Sequence, residues 1–417
     1  MGQTIIEKII GRNVGADRVK PGDIVTVKPD RVMLDDIMMP FIVDKFHEMG
    51  FDKVWDSDKV VLIYDHLVPA SQQDDTRHYR VGDAFAEKYG LSHVHRSDGI
   101  CHQLMTEAGY VKPGDVVFGT DSHTTTYGCV GAFSTGIGYT EMAAILGTGT
   151  LWIKVPETIR VVINGTLPKG VMSKDVILRI IGDLGADGAT YRALEFTGSA
   201  VAQMTVASRM TMANMAIEAG AKCAAFSPDE KTAEYCGIDL DGFQRELKGD
   251  EDAIYLQTIT YQAEDFRPVM ACPSQVDQIR EVKELEGTVI DQVFIGSCTN
   301  GRLEDLQAAA RVLEGKQVAP FVKLIVTPAS RRVYQEALAC GALKTLLEAG
   351  AIVTHPGCGL CCGRTGGILC DGERVVATNN RNFLGRMGTA KTQIYLASPV
   401  TAAACAAAGR IVCAGEA

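Results

Sequence analysis

The feature that most constrains this fold is a recurring unit: a short apolar run rich in β-branched residues, a Gly or polar turn, then a segment with helical periodicity. Val60-Val61-Leu62-Ile63-Tyr64 is one such run and leads into Asp65-His66. Asp115-Val116-Val117-Phe118-Gly119 is another and leads into Asp121-Ser122-His123. Further on, residues 292–295 precede Gly296-Ser297-Cys298-Thr299-Asn300 and a helix with apolar positions Leu303, Leu306, Ala309, Val312 and Leu313. Residues 321–326 predict a strand, and residues 331–347 a helix. Ala351-Ile352-Val353 then runs into His355-Pro356-Gly357-Cys358-Gly359-Leu360-Cys361-Cys362, and residues 374–377 into Asn379-Asn380-Arg381. Strands alternating with helices imply an α/β fold of mainly parallel sheets joined by right-handed crossovers. Ligands of such sheets bind beyond the carboxyl ends of the strands. Every polar or cysteine-bearing segment named above falls at such an end, so separate sheets are expected to present them to one shared cleft.

A chain of 417 residues exceeds the size at which a single core stops growing, so two or three domains are expected. With 46% hydrophobic and 22% charged residues it has the composition of a soluble globular protein. Its 41 basic against 51 acidic groups, net −10, weigh against a nucleic-acid or anionic-membrane surface. A small anionic substrate meeting a local cationic pocket stays open. Residues 1–15 alternate apolar and charged side chains, as in an amphipathic first helix and not a signal peptide. Position six is Ile6, which does not fit a myristoylation signal. The most apolar stretch, residues 394–409, contains Ser398-Pro399, which reads as N-cap and first position of a helix closed by Gly409. No membrane span is predicted, and a cytoplasmic location is expected.

The thirteen cysteines are odd in number and irregular in spacing, which suits reduced thiols. Cys223, Cys272 and Cys340 stand alone in apolar context and read as core residues. Cys358-x-x-Cys361 differs: it sits on a Gly-rich loop, and Cys298 follows an earlier strand. Spacing alone leaves zinc, redox-dithiol and iron–sulfur readings open. A thioredoxin-like site fails because the pair does not open a helix in the right βαβ context. Zinc would take four closed ligands, for which His355 is available. Three cysteines without a clear fourth ligand suit a cubane with one iron free to act as a Lewis acid.

Ile295-Gly296-Ser297-Cys298-Thr299-Asn300, Pro356-Gly357-Cys358-Gly359-x-Cys361, Asn380-Arg381-Asn382-Phe383-x-Gly385-Arg386, Tyr64-Asp65-His66 and Thr120-Asp121-Ser122-His123-Thr124 resemble the signature segments of the aconitase superfamily, in that family's order. Lys154-Val155-Pro156-Glu157-Thr158 and Ser398-Pro399 make the chain similar to the two-subunit branch, the isopropylmalate dehydratases and homoaconitases. The resemblance covers essentially the whole chain. It implies three α/β domains, at residues 1–157, 158–285 and 286–417, around a cluster cleft. It implies a [4Fe–4S] cluster on Cys298, Cys358 and Cys361, with one iron lacking a protein ligand. Asp65 and His66 would protonate a leaving hydroxyl, while His102, Asp121 and His123 would orient the water at the cluster. Asn214 and Glu218, four apart on the helical segment 210–219 and so on one face, match residues near the cluster and its water. Asn300 and Asn380 would lie near cluster sulfur. Arg381 and Arg386 would engage substrate carboxylates, and Ser122 and Asp35 also fall among the substrate-binding positions.

The family's remaining domain, which carries a serine base, has no counterpart among these segments. A separate small subunit is therefore expected, with the chain alone inactive or nearly so. Asp35 stands where aconitase has a substrate-contacting Gln, and Met38 replaces a common Thr. An acidic group facing a dicarboxylate would repel it unless protonated or paired. The expected reaction is reversible dehydration of a 2- or 3-hydroxy dicarboxylate or tricarboxylate, of 3-isopropylmalate or homocitrate/homoaconitate type. Alternatives are a dehydratase for dimethylmalate or another branched acid, a cluster-free RNA-binding regulator, which the acidic charge disfavours, and a zinc-bound scaffold. His47, His78, His93 and His95 read as satisfied structural residues. Ser122 and His123 make no hydrolase dyad if they are strand neighbours facing opposite sides. The Gly-rich stretch 128–138 lacks GxGxxG directly after a strand, and Cys362 reads as a bystander thiol.

Overall fold

The apolar runs become strands, and the computed structural model describes them within residues 2–414. His93–His95, Val60–Ile63, Arg31–Asp35, Val116–Gly119 and Phe133–Gly136 pair in that spatial order as one fully parallel sheet. Val60–Ile63 is buried at every position, as a parallel strand covered on both faces requires. A second parallel sheet runs Cys223–Phe226, Ala193–Thr197, Thr158–Asn164, Gln257–Gln262. The third and largest runs Ile279–Glu281, Val269–Ala271, Gln393–Leu396, Arg374–Ala377, Gln292–Ile295, Lys323–Val326, Ile352–Val353. Its pairings from Gln393–Leu396 onward are parallel, and those of Val269–Ala271 antiparallel. Ile24–Val27 and Leu151–Lys154 add an antiparallel ribbon. The architecture is mixed α/β with mainly parallel sheets.

Several local expectations change. Val269–Ala271 and Ile279–Glu281 belong by sequence to the segment 158–285, yet they pair into the third sheet. Antiparallel partners need only a short connection, so the chain enters that sheet before the next βα unit begins. The segment 331–347 is two helices, Arg331–Ala339 and Ala342–Glu348, because Gly341 between them takes φ 83° and ends the first. The strand expected from 321 starts at Lys323, and Phe321 is 98% exposed. The terminal helices follow their capping signals. Ile5–Val14 opens on a Thr4/Glu7 capping box and closes on Gly15, with Met1 outside the described residues. Pro399–Ala408 runs from Ser398 to Gly409.

One apolar core bridges the sheets. It joins Met33, Val61 and Ile63 of the first to Val161 and Phe196 of the second and to Phe294 and Ile325 of the third, and it includes Cys358 and Cys361. The cysteine loop therefore rests on the packing that locks the three layers together. No helix among the described residues is long and apolar enough to cross a membrane.

Candidate active site

Strand ends of the first sheet supply the polar half of the site. Val60–Ile63 stops where Asp65-His66 begins, and His66 Nδ1 lies 2.7 Å from Asp65 Oδ1. Asp36 holds this loop, accepting the His66 N–H at 3.1 Å and the Leu67 N–H at 3.0 Å. Asp65 Oδ2 accepts the Cys101 N–H at 2.7 Å, at the start of the helix Cys101–Glu107 that carries His102. Beyond Val116–Gly119, Asp121 caps the 3-10 helix Ser122–Val130 by accepting the His123 N–H at 2.7 Å. Asp121 Oδ1 also accepts from His102 Nε2 at 2.8 Å and His123 Nδ1 at 3.2 Å, and Asp121 Oδ2 lies 3.8 Å from His66 Nε2. His123 Nε2 is 2.8 Å from Glu218 Oε1, which accepts Arg381 Nε at 2.9 Å, and Arg381 Nη2 donates to Ser122 Oγ at 2.9 Å.

Charge is sorted within this network. Burial alone would raise the Asp121 carboxyl, but hydrogen bonds from His102, His123 and His66 outweigh it and hold it well below the usual carboxylate range. Burial pushes His66 toward the neutral form, and the Asp65 and Asp121 carboxylates reverse this, holding it well above its ordinary value. The two carboxylates that flank it thus favour the imidazolium form of His66. Asp35 is 1% exposed; burial raises its pKa against the opposing pull of His66 and Thr120. The Thr120 hydroxyl donates to it at 2.5 Å. The acidic group at this position is therefore covered and bonded, not bare toward the cleft.

The cysteines close the other side. Cys298 lies in the single turn Ser297–Asn300 directly after Gln292–Ile295. The turn demands glycine at 296, where a β-carbon would sit 2.7 Å from Thr327 O. Ser297 follows at φ 72°, a strained value for a residue with a side chain. Cys358 precedes, and Cys361 lies within, the 3-10 turn Gly359–Cys362. The Cys358 N–H donates to Asp65 O at 2.8 Å, stitching the cysteine loop to the His66 loop. All three thiols are buried.

The surroundings of these thiols suit an iron–sulfur group. Asn214 Nδ2 approaches Cys298 Sγ at 3.2 Å, Asn380 Nδ2 the same sulfur at 3.5 Å, and Arg386 Nη2 approaches Cys361 Sγ at 3.7 Å. N–H donors aimed at buried sulfur suit electron-rich, cluster-bound thiolates. A hydrogen bond from Cys358, with Arg386 beside it, outweighs burial and holds Cys361 well below the usual thiol value. Burial pushes Cys298 up to about 12, so it ionises only against a cationic partner. Ligand atoms within 4.8 Å of one another, close enough for one ion, occur among the described residues in His102/Asp121/His123 and in Asp35/Asp36/His66. The cysteine trio is not among these sets. His355 is exposed and joins no such set. The donors fit the cluster.

Other expected positions move. Asn214 and Glu218 do not share a continuous α-helix: Val206–Met215 ends and Ala216–Ala219 tightens into a 3-10 turn. The tightening aims Glu218 at His123 and Arg381, while Asn214 stays on Cys298. Ser122 and His123 open a 3-10 helix and are not strand neighbours; no dyad forms because His123 spends its nitrogens on Asp121 and Glu218. Asn300 turns its amide away from sulfur, donating to Thr211 Oγ1 at 3.3 Å and Asp305 Oδ1 at 3.0 Å. It braces the Cys298 turn, helped by Arg302, whose guanidinium donates to the Cys298 and Thr299 carbonyls. His95 and His47 are satisfied by Asp98, Tyr110 and Tyr89.

Some residues of the site escaped the sequence reading. Asp36 was signalled only by its adjacency to Asp35. Lys174, fully buried, donates to Thr378 O at 2.9 Å and Asn379 O at 2.6 Å, just before Asn380. Burial brings its pKa down to about 7. Tyr127, whose hydroxyl is 3.2 Å from His102 Nδ1, likewise had no pattern to mark it.

The charge sorting predicts a stability optimum. His66 is raised in the fold, so its contribution is complete below 6.5 and drains away as pH rises through its folded value. Asp65 and Asp121 are lowered, so theirs is present above 3.8 and lost as pH falls through their folded values. Thermal melts against pH should show maximal stability between these limits. In His66→Gln the alkaline decline should flatten; an unchanged profile would contradict the assigned charge state.

A model of the "Aconitase family (aconitate hydratase)" matches residues 7–409. The chain is 50% identical over 412 residues to "3-isopropylmalate dehydratase large subunit 1" of Methanopyrus kandleri, covering 99% of this chain and 98% of that protein. It is 48% identical over 413 residues to the 3-isopropylmalate dehydratase large subunit of Moorella thermoacetica, with the same coverage of each, 99% and 98%. The crystal structure of Thermococcus kodakaraensis aconitase X in its holo-form shares the fold at 15% identity and TM-score 0.50, over 91% of this chain and 89% of that one. A family match across nearly the whole chain, and near-half identity to large subunits of one dehydratase, establish that this chain belongs to the aconitase family of iron–sulfur hydro-lyases.

Proposed function

We propose that this chain is the catalytic large subunit of a dehydratase that removes and returns water on 3-isopropylmalate, with a [4Fe–4S] cluster on Cys298, Cys358 and Cys361. The observation that carries this reading is the imidazole of His66, held between Asp65 and Asp121 on a loop bonded to the backbone of Cys358. When bound, a cluster with one iron free of protein ligands supplies a Lewis acid that polarises a hydroxyl and a carboxylate.

The chain's own residues do the rest. His66 holds a proton on Nε2, the nitrogen not taken by Asp65, and delivers it to the departing hydroxyl. Asp65 keeps the ring oriented and stabilises its charged form before the transfer. Asp121, with His102 and His123 on its other oxygen, orients the water produced and returns it for readdition. Arg381 and Arg386 bind substrate carboxylates through planar guanidinium groups. Arg386 Nε is buried without a hydrogen-bond partner, a donor left open for such a ligand. The proton on the α-carbon goes to a serine base on a separate small subunit. The names of the relatives support the substrate and the partner.

The test is anaerobic purification with the cognate small subunit, followed by metal analysis and turnover. About four irons and four sulfides per chain, as in a cubane cluster, and dehydration of 3-isopropylmalate are expected. Preference for homocitrate or dimethylmalate would revise the substrate. Zinc, or no metal after anaerobic reconstitution, would overturn the reading.

A further inference from the structure

The imidazoles around Asp121 differ in what stands behind them. His66 has Asp65 at 2.7 Å from Nδ1, and His123 has Glu218 at 2.8 Å from Nε2. Each of those rings also faces Asp121, so each lies between two carboxylates, an arrangement that favours the doubly protonated form. His102 meets a carboxylate on one side only, Nε2 to Asp121 at 2.8 Å. Its Nδ1 faces the Tyr127 hydroxyl at 3.2 Å. His102 is 2% exposed and Tyr127 not at all. Tyr127 lies on Ser122–Val130, the same 3-10 helix that begins at Asp121 and carries His123.

The proton positions follow from what each partner can donate or accept. An ionised Asp121 can only accept, so His102 Nε2 carries a proton. A phenol sealed from solvent needs an acceptor for its own proton. Among the described residues, its hydrogen-bond partner is His102 Nδ1. Were Nδ1 protonated as well, the phenol oxygen would have to accept and its own proton would be stranded in the interior, which costs the desolvation of a buried donor. We infer that Tyr127 is a positioning residue that fixes His102 as the neutral imidazole with its proton on Nε2, so that Asp121 serves one neutral and two charged rings.

The groups facing this pair are consistent with that assignment. Asp121 and His123 lie around His102, with His102 and His123 ring centroids 6.2 Å apart. Cys101, Asp121, Asp65 and Cys298 lie around Tyr127, and burial, aided by these neighbours, keeps the phenol protonated. A third cationic ring at Asp121 would compete with His66 for the same carboxylate. By excluding it, Tyr127 preserves the charge on the proton donor. This kinetic consequence rests on the dehydratase reading, whereas the tautomer does not.

The test is nitrogen NMR of the full chain labelled at histidine, with His102→Gln to assign the resonances. In the parent, Nδ1 of His102 should be unprotonated and Nε2 protonated at neutral pH. In Tyr127→Phe, which keeps the ring and loses the hydroxyl, the Nδ1 resonance of His102 should shift. The kcat should fall roughly tenfold, the order expected for one buried hydrogen bond, with KM little changed. A His102 protonated on Nδ1 in the parent, or identical His102 resonances in parent and Tyr127→Phe, would overturn the inference. The parent spectrum decides even if the variant does not fold. The expected resonances in a parent preparation that turns over no hydroxy acid would sink the dehydratase reading and leave this inference standing.

Discussion

His66→Ala should lower kcat by about two to four orders of magnitude, the usual contribution of a positioned general acid, while the iron and sulfide content stays that of the parent. The separation of the two readouts follows from how the loop is held. Its path depends on the backbone N–H groups of His66 and Leu67 bonded to Asp36, which alanine retains. The bond from Cys358 N–H to Asp65 O involves no His66 side-chain atom. What disappears is the imidazolium between Asp65 and Asp121, and with it the proton for the departing hydroxyl. Anaerobic steady-state kinetics with the small subunit, alongside metal analysis, check the result. A kcat within tenfold of the parent would mean that another residue is the acid.

Cys358→Ser should abolish stable cluster binding and with it essentially all turnover, whereas Cys362→Ser should leave both near the parent level. A serine hydroxyl does not ionise at neutral pH as a thiol can, so it is a poor substitute ligand for iron. Cys362 lies beside the pair, its thiol donating to the Gly359 carbonyl at 3.2 Å and reaching the His66 carbonyl at 3.8 Å, and three cysteines already complete the proposed ligand set. Iron content and visible absorbance after anaerobic reconstitution separate the two variants. Equal loss in both would mean that the turn is read as a unit and that Cys362 is not a bystander. Full retention in Cys358→Ser would remove it from the ligand set.

Much of the fold was legible because its strands are short, continuous and apolar, and each is followed by a polar turn. Val60–Ile63, Val116–Gly119, Gln292–Ile295 and Arg374–Ala377 all lie where the sequence puts them. The site was legible as a list of segments but not as a geometry. Nothing in residues 210–219 distinguishes an α-helix from one that tightens at its end, and that turn decides whether Glu218 meets His123. Gly341 could have been read as a helix stop, but the apolar periodicity on either side of it concealed the break. Asn300 shows a further limit: adjacency to a ligand cysteine does not say which way an amide points. Lys174 and Tyr127 were missed because a buried polar side chain is justified by partners distant in sequence, Thr378 and Asn379 in one case and His102 in the other. Such partners leave no local period to detect.

The stitch between Cys358 and Asp65 also has a meaning in time. A ribosome releases the first sheet, ending at Phe133–Gly136, well before it makes Cys298, and Cys358 comes later still. N-terminal units tend to fold as they emerge, so the acid-bearing loops can form while the thiols that face them do not yet exist. In that interval Asp35, Asp36, Asp65 and Asp121 would precede the loop that Cys358 later bonds to Asp65. The nascent chain would then offer carboxylates and imidazoles, ligands that take many divalent ions, before it offers a single cluster sulfur. Metal selection would then also be a matter of order in synthesis, because the oxygen and nitrogen donors are made before any cluster sulfur.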